Sequence, residues 1–249
     1  MATALLSGAA RGQDCWQPDA LSLPAVQIAS TSFSATASVD GGTSYVPTFR
    51  AGARDRLVSS IAASVRFAPV ELRASWGWLV DSSVAGGVVH GPGDLRLGTV
   101  VTLAHPGNFD FTAGWEVKLP NAADEGELGT DETDMSFGAT AGWRRGELEA
   151  RLGVGLAVLG NPLRFANQDD VPMARASLGW SRGGWAVIGR ASVDAPTARN
   201  PIRSEGDVAL RMGKRWFGVV HGGGGFAPAS ADWHAGLGVG FASALPGGR

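Results

Sequence analysis

The chain has 249 residues, a length that fits one large domain or two small ones. Charged residues make up 18% and the formal net charge is −2, so nothing in the composition offers nucleic acid a basic surface. No apolar run reaches the roughly 18 residues of a membrane-crossing helix, and the one cysteine, Cys15, has neither a disulfide partner nor a cluster of metal ligands around it.

Residues 1–12 read as the remnant of a signal peptide. Ala2 to Ala10 resembles the end of an apolar signal region, and Ala10-Arg11-Gly12 supplies a small-x-small cleavage site before Gln13. A basic leader is missing, so the natural start is expected upstream of Met1. The alternative is a disordered tail. Gly-Gln-Asp-Cys is a poor lipoprotein box, and no acylation is expected at Cys15. Residues 13–23 are expected to form an N-terminal periplasmic segment, 24–243 a barrel, and 244–249 a short tail.

From Pro24 the chain alternates with period two, the signature of strands. Pro24 to Asp40 sets Phe33, Ala35, Ala37 and Val39 against Ser32, Ser34, Thr36 and Ser38. A loop is predicted from Gly41 to Asp55, then a strand from Leu57 to Phe67 and a turn at Ala68-Pro69. Glu71 to Val80 returns, with Leu72, Ala74, Trp76 and Trp78 on one face. After a long connection, Asp81 to Gly93, four strands follow between Gly91 and Val158. In the second, Phe109, Phe111, Ala113, Trp115, Val117 and Leu119 oppose Asp110, Thr112, Gly114, Glu116 and Lys118. In the fourth, Leu148, Ala150, Leu152, Val154, Leu156 and Val158 oppose Glu149, Arg151, Gly153 and Gly155. Met173 to Ser181 and Trp185 to Asp194 form a hairpin. Gly206 to Met212, Phe217 to Phe226 and Trp233 to Phe241 complete about twelve strands, with no helical pattern.

The connections alternate long and short from end to end. Short turns are predicted at His105-Pro106-Gly107, Arg145-Gly146, Arg182-Gly183-Gly184 and Gly213 to Trp216. Long loops are predicted at Pro120 to Glu132, Gly160 to Asp170 and Ala195 to Glu205. A soluble sandwich has no reason for this rhythm. An outer-membrane barrel does, because its periplasmic turns are short and its outside loops longer. Trp143, Trp180, Trp185 and Trp216 lie beside the short turns, where an interfacial girdle belongs. The fold class is therefore all-β, a closed antiparallel transmembrane barrel of about 12 strands in the outer membrane of a Gram-negative bacterium. Outer-membrane lipid and lipopolysaccharide are its expected surroundings. A soluble glycine-rich sandwich is the alternative, and it would leave the same tryptophans buried or in water.

The polar faces then line the lumen. They carry Arg66, Arg73, Arg96, Lys118, Arg151, Arg175, Arg190 and Arg211 against Glu71, Asp110, Glu116, Asp134, Glu149, Asp194 and Asp207. Such charges are expected to pair across strands, because unpaired buried charge is costly. A subset is the candidate constriction: Glu116, Lys118, Glu149, Arg151, Arg175, Arg190 and Arg211. Arg151, Arg175, Arg190 and Arg211 are expected opposite Glu116 and Glu149. Twelve strands spaced about 4.8 Å and tilted about 40° give a backbone radius of roughly 12 Å, about half of it consumed by side chains. That admits a small solute at most.

Two stretches carry a family resemblance. GPGDLRLG, Gly91 to Gly98, with Gly93 and Asp94, resembles a Gly-x-Gly-Asp-Leu-x-Leu-Gly strand entry. KLPNAADEGELGTDETD resembles a Lys-Leu-Pro-Thr-Gly-Asp…Leu-Gly-Thr-Gly-x-x-Asp loop at Lys118, Leu119, Pro120, Leu128, Gly129, Thr130 and Asp134. It departs at Asn121-Ala122 and at Asp131. Both patterns are those of the outer-membrane barrels grouped under the MetA pathway of phenol degradation. The resemblance implies an outer-membrane barrel concerned with transport and names no substrate.

His221-Gly222-Gly223-Gly224 looks like the oxyanion-hole run of some lipases, but it reads more simply as a glycine-rich barrel strand. The acidic stretch from Asp124 to Asp134 lacks calcium-loop spacing. No enzyme activity, cofactor or metal is expected. Two functions stay open: a channel for small, hydrophobic or weakly polar molecules, and a structural barrel with a closed, salt-bridged lumen. A barrel lipid hydrolase is a weaker third.

Overall fold

The computed structural model describes residues 31–46, 52–82, 87–121, 133–160, 169–197, 202–227 and 230–244. The expected signal remnant, the N-terminal periplasmic segment and Gly129 and Thr130 of the motif loop lie outside these residues.

Thirteen strand segments are formed among the described residues: β1 (Thr31–Val46), β2 (Gly52–Phe67), β3 (Val70–Ser82), β4 (Val88–Pro92), β5 (Leu95–Ala104), β6 (Phe109–Leu119), β7 (Asp134–Arg145), β8 (Leu148–Leu159), β9 (Asp169–Arg182), β10 (Trp185–Asp194), β11 (Arg203–Gly213), β12 (Trp216–Gly225) and β13 (Ala231–Ala244). Each is antiparallel to its neighbours. β1 pairs with both β13 and β2, and β2 with β3, so the sheet closes on itself. β4 and β5 pair with successive stretches of β3: β4 meets residues Trp78 to Ser82, and β5 meets Val70 to Ser75. They share one position in the ring, so thirteen segments make a twelve-stranded barrel. The break falls at Gly93, whose amide donates to the Gly77 carbonyl at 2.8 Å. Closure gives each position in the ring a neighbour on both sides, the condition for lying in hydrocarbon, although β4 itself pairs only with β3.

Two expectations are corrected. The predicted loop from Gly41 to Asp55 is mostly strand: β1 and β2 stay in register from Thr31↔Phe67 to Val46↔Gly52. Each is 16 residues long, more than the about nine to eleven a tilted strand needs to cross a membrane. The ladder runs on because nothing in Gly41 to Tyr45 removes a donor or demands a turn. The connection predicted from Asp81 to Gly93 likewise contains β4. The turns at Gly146 and Gly183 fall where expected, and these glycines take φ of 62° and 65°, a region that costs other residues.

The alternation sorts the two faces. Leu152, Val154, Leu178, Leu237 and Val239 are each at least 60% exposed, all on one face of the sheet. Phe111 and Trp115 point the same way and are exposed, while Phe241 is half-buried. An apolar belt of this extent is not stable in water, so this face meets lipid. At the short-turn end the belt is aromatic: Phe67, Phe109, Trp180, Trp185 and Trp216 are exposed, with Trp143 half-buried among them. The Trp180 indole donates to Glu147 on the adjacent turn at 3.0 Å. This suits a ring with its body in lipid and its N–H at the interface.

Candidate functional site

The opposite, concave face carries the polar residues, and the register decides which of them meet. On β2 and β3, Arg66 stands opposite Glu71. Glu71 accepts from Arg66 Nε at 2.9 Å and from Arg73 Nε at 2.8 Å. On β5 and β6, Arg96 Nη1 donates to Glu116 at 3.1 Å. Glu149 on β8 is held between Arg144 on β7 and Arg151 on its own strand. Arg151 also reaches Asp110 on β6 at 3.2 Å, past the whole of β7. That reach depends on Gly142, the β7 residue opposite both. A Cβ there would lie 2.3 Å from Asp110 Oδ1.

Further round the barrel, Arg175 pairs with Asp194 at 3.1 Å, and Arg190 Nε donates to Asp207 Oδ1 at 2.8 Å. Of the four arginines expected opposite Glu116 and Glu149, three have a carboxylate within reach on their own or a nearby strand. Arg151 alone meets Glu149, while Arg175 and Arg190 take carboxylates on the next strand. Arg211 has no carboxylate partner among the described residues. Its guanidinium lies 3.9 Å from the Phe217 ring centre and donates to the Lys214 carbonyl at 2.8 Å. A desolvated cation over an aromatic face is stabilised by about 2 kcal/mol.

Lys118 belongs to a different group. Its ammonium is 2.5 Å from Asp134 and 3.6 Å from Asp94. Asp94 accepts from the Asn121 amide at 3.1 Å, and Asp134 from the Gly160 amide at 2.9 Å. Lys118 and Asp134 are nearly fully buried, at 5% and 3% exposure. This cluster ties β5, β6, β7 and the end of β8 together where the long connections leave the barrel. It gives the two sequence motifs one physical reason. Gly93 makes the backbone approach to Gly77, Asp94 follows it, Leu119 pairs with Leu95, and Pro120 sits exposed just past the lysine.

The inner face also holds two apolar groups that the sequence reading did not single out. Ala157, Leu159, Val171 and Met173 cluster on β8 and β9 towards the long-connection end. Ala209, Phe217 and Val219, with Ala242 against them, cluster on β11 and β12 towards the short-turn end. The signal was present in the alternation, where apolar residues interrupt the polar face.

No protein-family model matches the chain, and no curated protein matches it in sequence. Solved structures do. The COG4313 outer membrane channel from Pseudomonas putida F1 matches with a TM-score of 0.69 at 12% identity, over 92% of this chain and 100% of that one. The NanC porin matches with a TM-score of 0.57 at 6% identity, over 86% and 99%. The translocator domain of the autotransporter NalP from Neisseria meningitidis matches at 0.52 and 15%, over 85% and 88%. The fold is that of an outer-membrane β-barrel.

Proposed function

We propose that this barrel is an outer-membrane channel for small, hydrophobic or weakly polar molecules. The observation that carries the reading is the self-neutralised charge lining of the inner wall, where arginines are paired with neighbouring carboxylates. Each arginine bound to a neighbouring carboxylate offers an ion little net attraction. Ala157, Leu159, Val171 and Met173 towards one end, and Ala209, Phe217 and Val219 towards the other, pack as buried apolar clusters that add no charge to the wall. Channels and porins among barrels of the same fold support the role in general terms. The motifs at Gly91–Gly98 and Lys118–Asp134 favour a place beside the barrels of the MetA phenol-degradation group. Lipid and lipopolysaccharide of the outer membrane are the proposed surroundings, and the proposed role is transport rather than catalysis.

One observation favours the second reading, a closed structural barrel: Glu71 and Glu149 are buried and each is held by two arginines. Conductance of the refolded protein in planar bilayers separates the two. The channel reading expects discrete conductance steps, and a rise in cation selectivity when Arg175→Gln and Arg190→Gln are combined, since Asp194 and Asp207 then lose their counter-charges. A folded barrel that conducts nothing, and that admits no small apolar solute into liposomes, is a structural one.

A further inference from the structure

Three metal-ligating side chains meet on the inner wall, one of them the Asp207 that Arg190 also holds. Asp207 lies on β11, His221 on β12 and His234 on β13. The register sets Asp207 opposite Gly223, and Gly223 opposite His234. His221 precedes Gly223 by two residues and so shares its face. One ligand atom from each of the three falls within 4.8 Å of the other two, and the two imidazole rings are 6.2 Å apart. All three are half-buried and open to the barrel interior.

We propose that Asp207, His221 and His234 form a binding site for a divalent transition-metal ion in the outer half of the lumen wall. Imidazole suits zinc, nickel and copper, and two imidazoles with one carboxylate complete a facial set with positions left for water or a solute. Metal–ligand bonds of 2.0–2.1 Å place tetrahedral ligand atoms about 3.3 Å apart. Closing from 4.8 Å is within reach of side-chain rotation alone.

Two features of the wall support the site. The first is Gly223, between Asp207 and His234. A Cβ there would lie 2.1 Å from the Gly206 carbonyl and 2.6 Å from the Asp207 Cβ. The absence of a side chain at 223 lets groups two strands apart approach. The second is Arg190, which holds both Asp207 oxygens from the side. A carboxylate has about four lone-pair positions, so this two-point grip leaves about two, one on each oxygen, open to a metal. Outer contacts of this kind orient a ligating group. The inward positions beside them are also glycine: 225 on β12, and 236 on β13 opposite His221.

The inference stands independently of transport, because it is read by binding. The test uses untagged, refolded barrel in detergent micelles at pH 7.5, where imidazole is mostly neutral. Cu²⁺ is the probe, as the tightest-binding ion of the series and one visible by electron paramagnetic resonance. Titration should show one equivalent bound, with hyperfine coupling to two nitrogens. His221→Gln and His234→Gln should each weaken binding at least about 10-fold, with heat-modifiable gel migration showing that the barrel still folds. The chain has four histidines, so a His90→Gln/His105→Gln variant that binds as the parent does completes the expectation. Equal binding by parent and His234→Gln, or loss of binding in the His90/His105 variant, would place the ion elsewhere. Absence of a stoichiometric site would overturn the proposal.

Discussion

Lys118 on β6 is paired with Asp134 on β7 at 2.5 Å, opposite each other across the ladder yet at the two ends of a long connection. Both are nearly inaccessible. A buried pair of this kind costs desolvation on forming. Once formed, removal of one partner leaves a charge without compensation, at a cost of about 3–5 kcal/mol.

Lys118→Met should therefore lower the urea midpoint of the refolded barrel strongly. Pairing it with Asp134→Leu should recover part of the loss, because two apolar groups replace two charges. If the double variant is no more stable than the single one, the cluster acts through the Asp134 contact to the Gly160 amide and not through the ion pair.

At Gly142, replacement by alanine should preserve the barrel while pushing the Asp110 carboxylate aside. The measurement is a double-mutant cycle of Asp110→Asn with Arg151→Met. Coupling between the two is expected with glycine at 142, at the about 0.5–3 kcal/mol of contacting residues, and should vanish in the Gly142→Ala background. Undiminished coupling would show that the pair can form around a methyl group.

Leu152 and Gly153 separate the two faces by a single residue. Leu152 is 63% exposed on the lipid side, where arginine near the midplane costs about 2–4 kcal/mol. Leu152→Arg should impair assembly, whereas Gly153→Arg should be limited by crowding against Arg175, the residue opposite it on β9. A spin label at 152 should be relaxed by oxygen dissolved in lipid, and one at 153 should not. The opposite result would mean a one-residue slip, which exchanges the faces.

Trypsin added to intact cells should cut the long connection between β8 and β9 before the short turn that follows Arg182. The long connections are expected outside the cell in this class of barrel. Cleavage at the short turn first would invert the orientation.

The sequence by itself determined the strands and their faces, because alternation is local: Phe111 and Trp115 differ from Glu116 in direction whatever the rest of the chain does. It also located the short turns and, through the spacing of Trp180, Trp185 and Trp216, the interfacial ring. Tertiary structure decided who meets whom. Arg175 and Arg190 pair with Asp194 and Asp207, since the partner of an inward side chain is set by the stagger between strands, which no single strand encodes. The run of β1 and β2 beyond the expected length followed from a ladder with nothing to stop it, and the shared place of β4 and β5 from one contact, Gly93 to Gly77. The approach of Asp207, His221 and His234 joined residues from three strands across a glycine gap. Pattern gives direction along a strand; only closure of the sheet fixes neighbours across it.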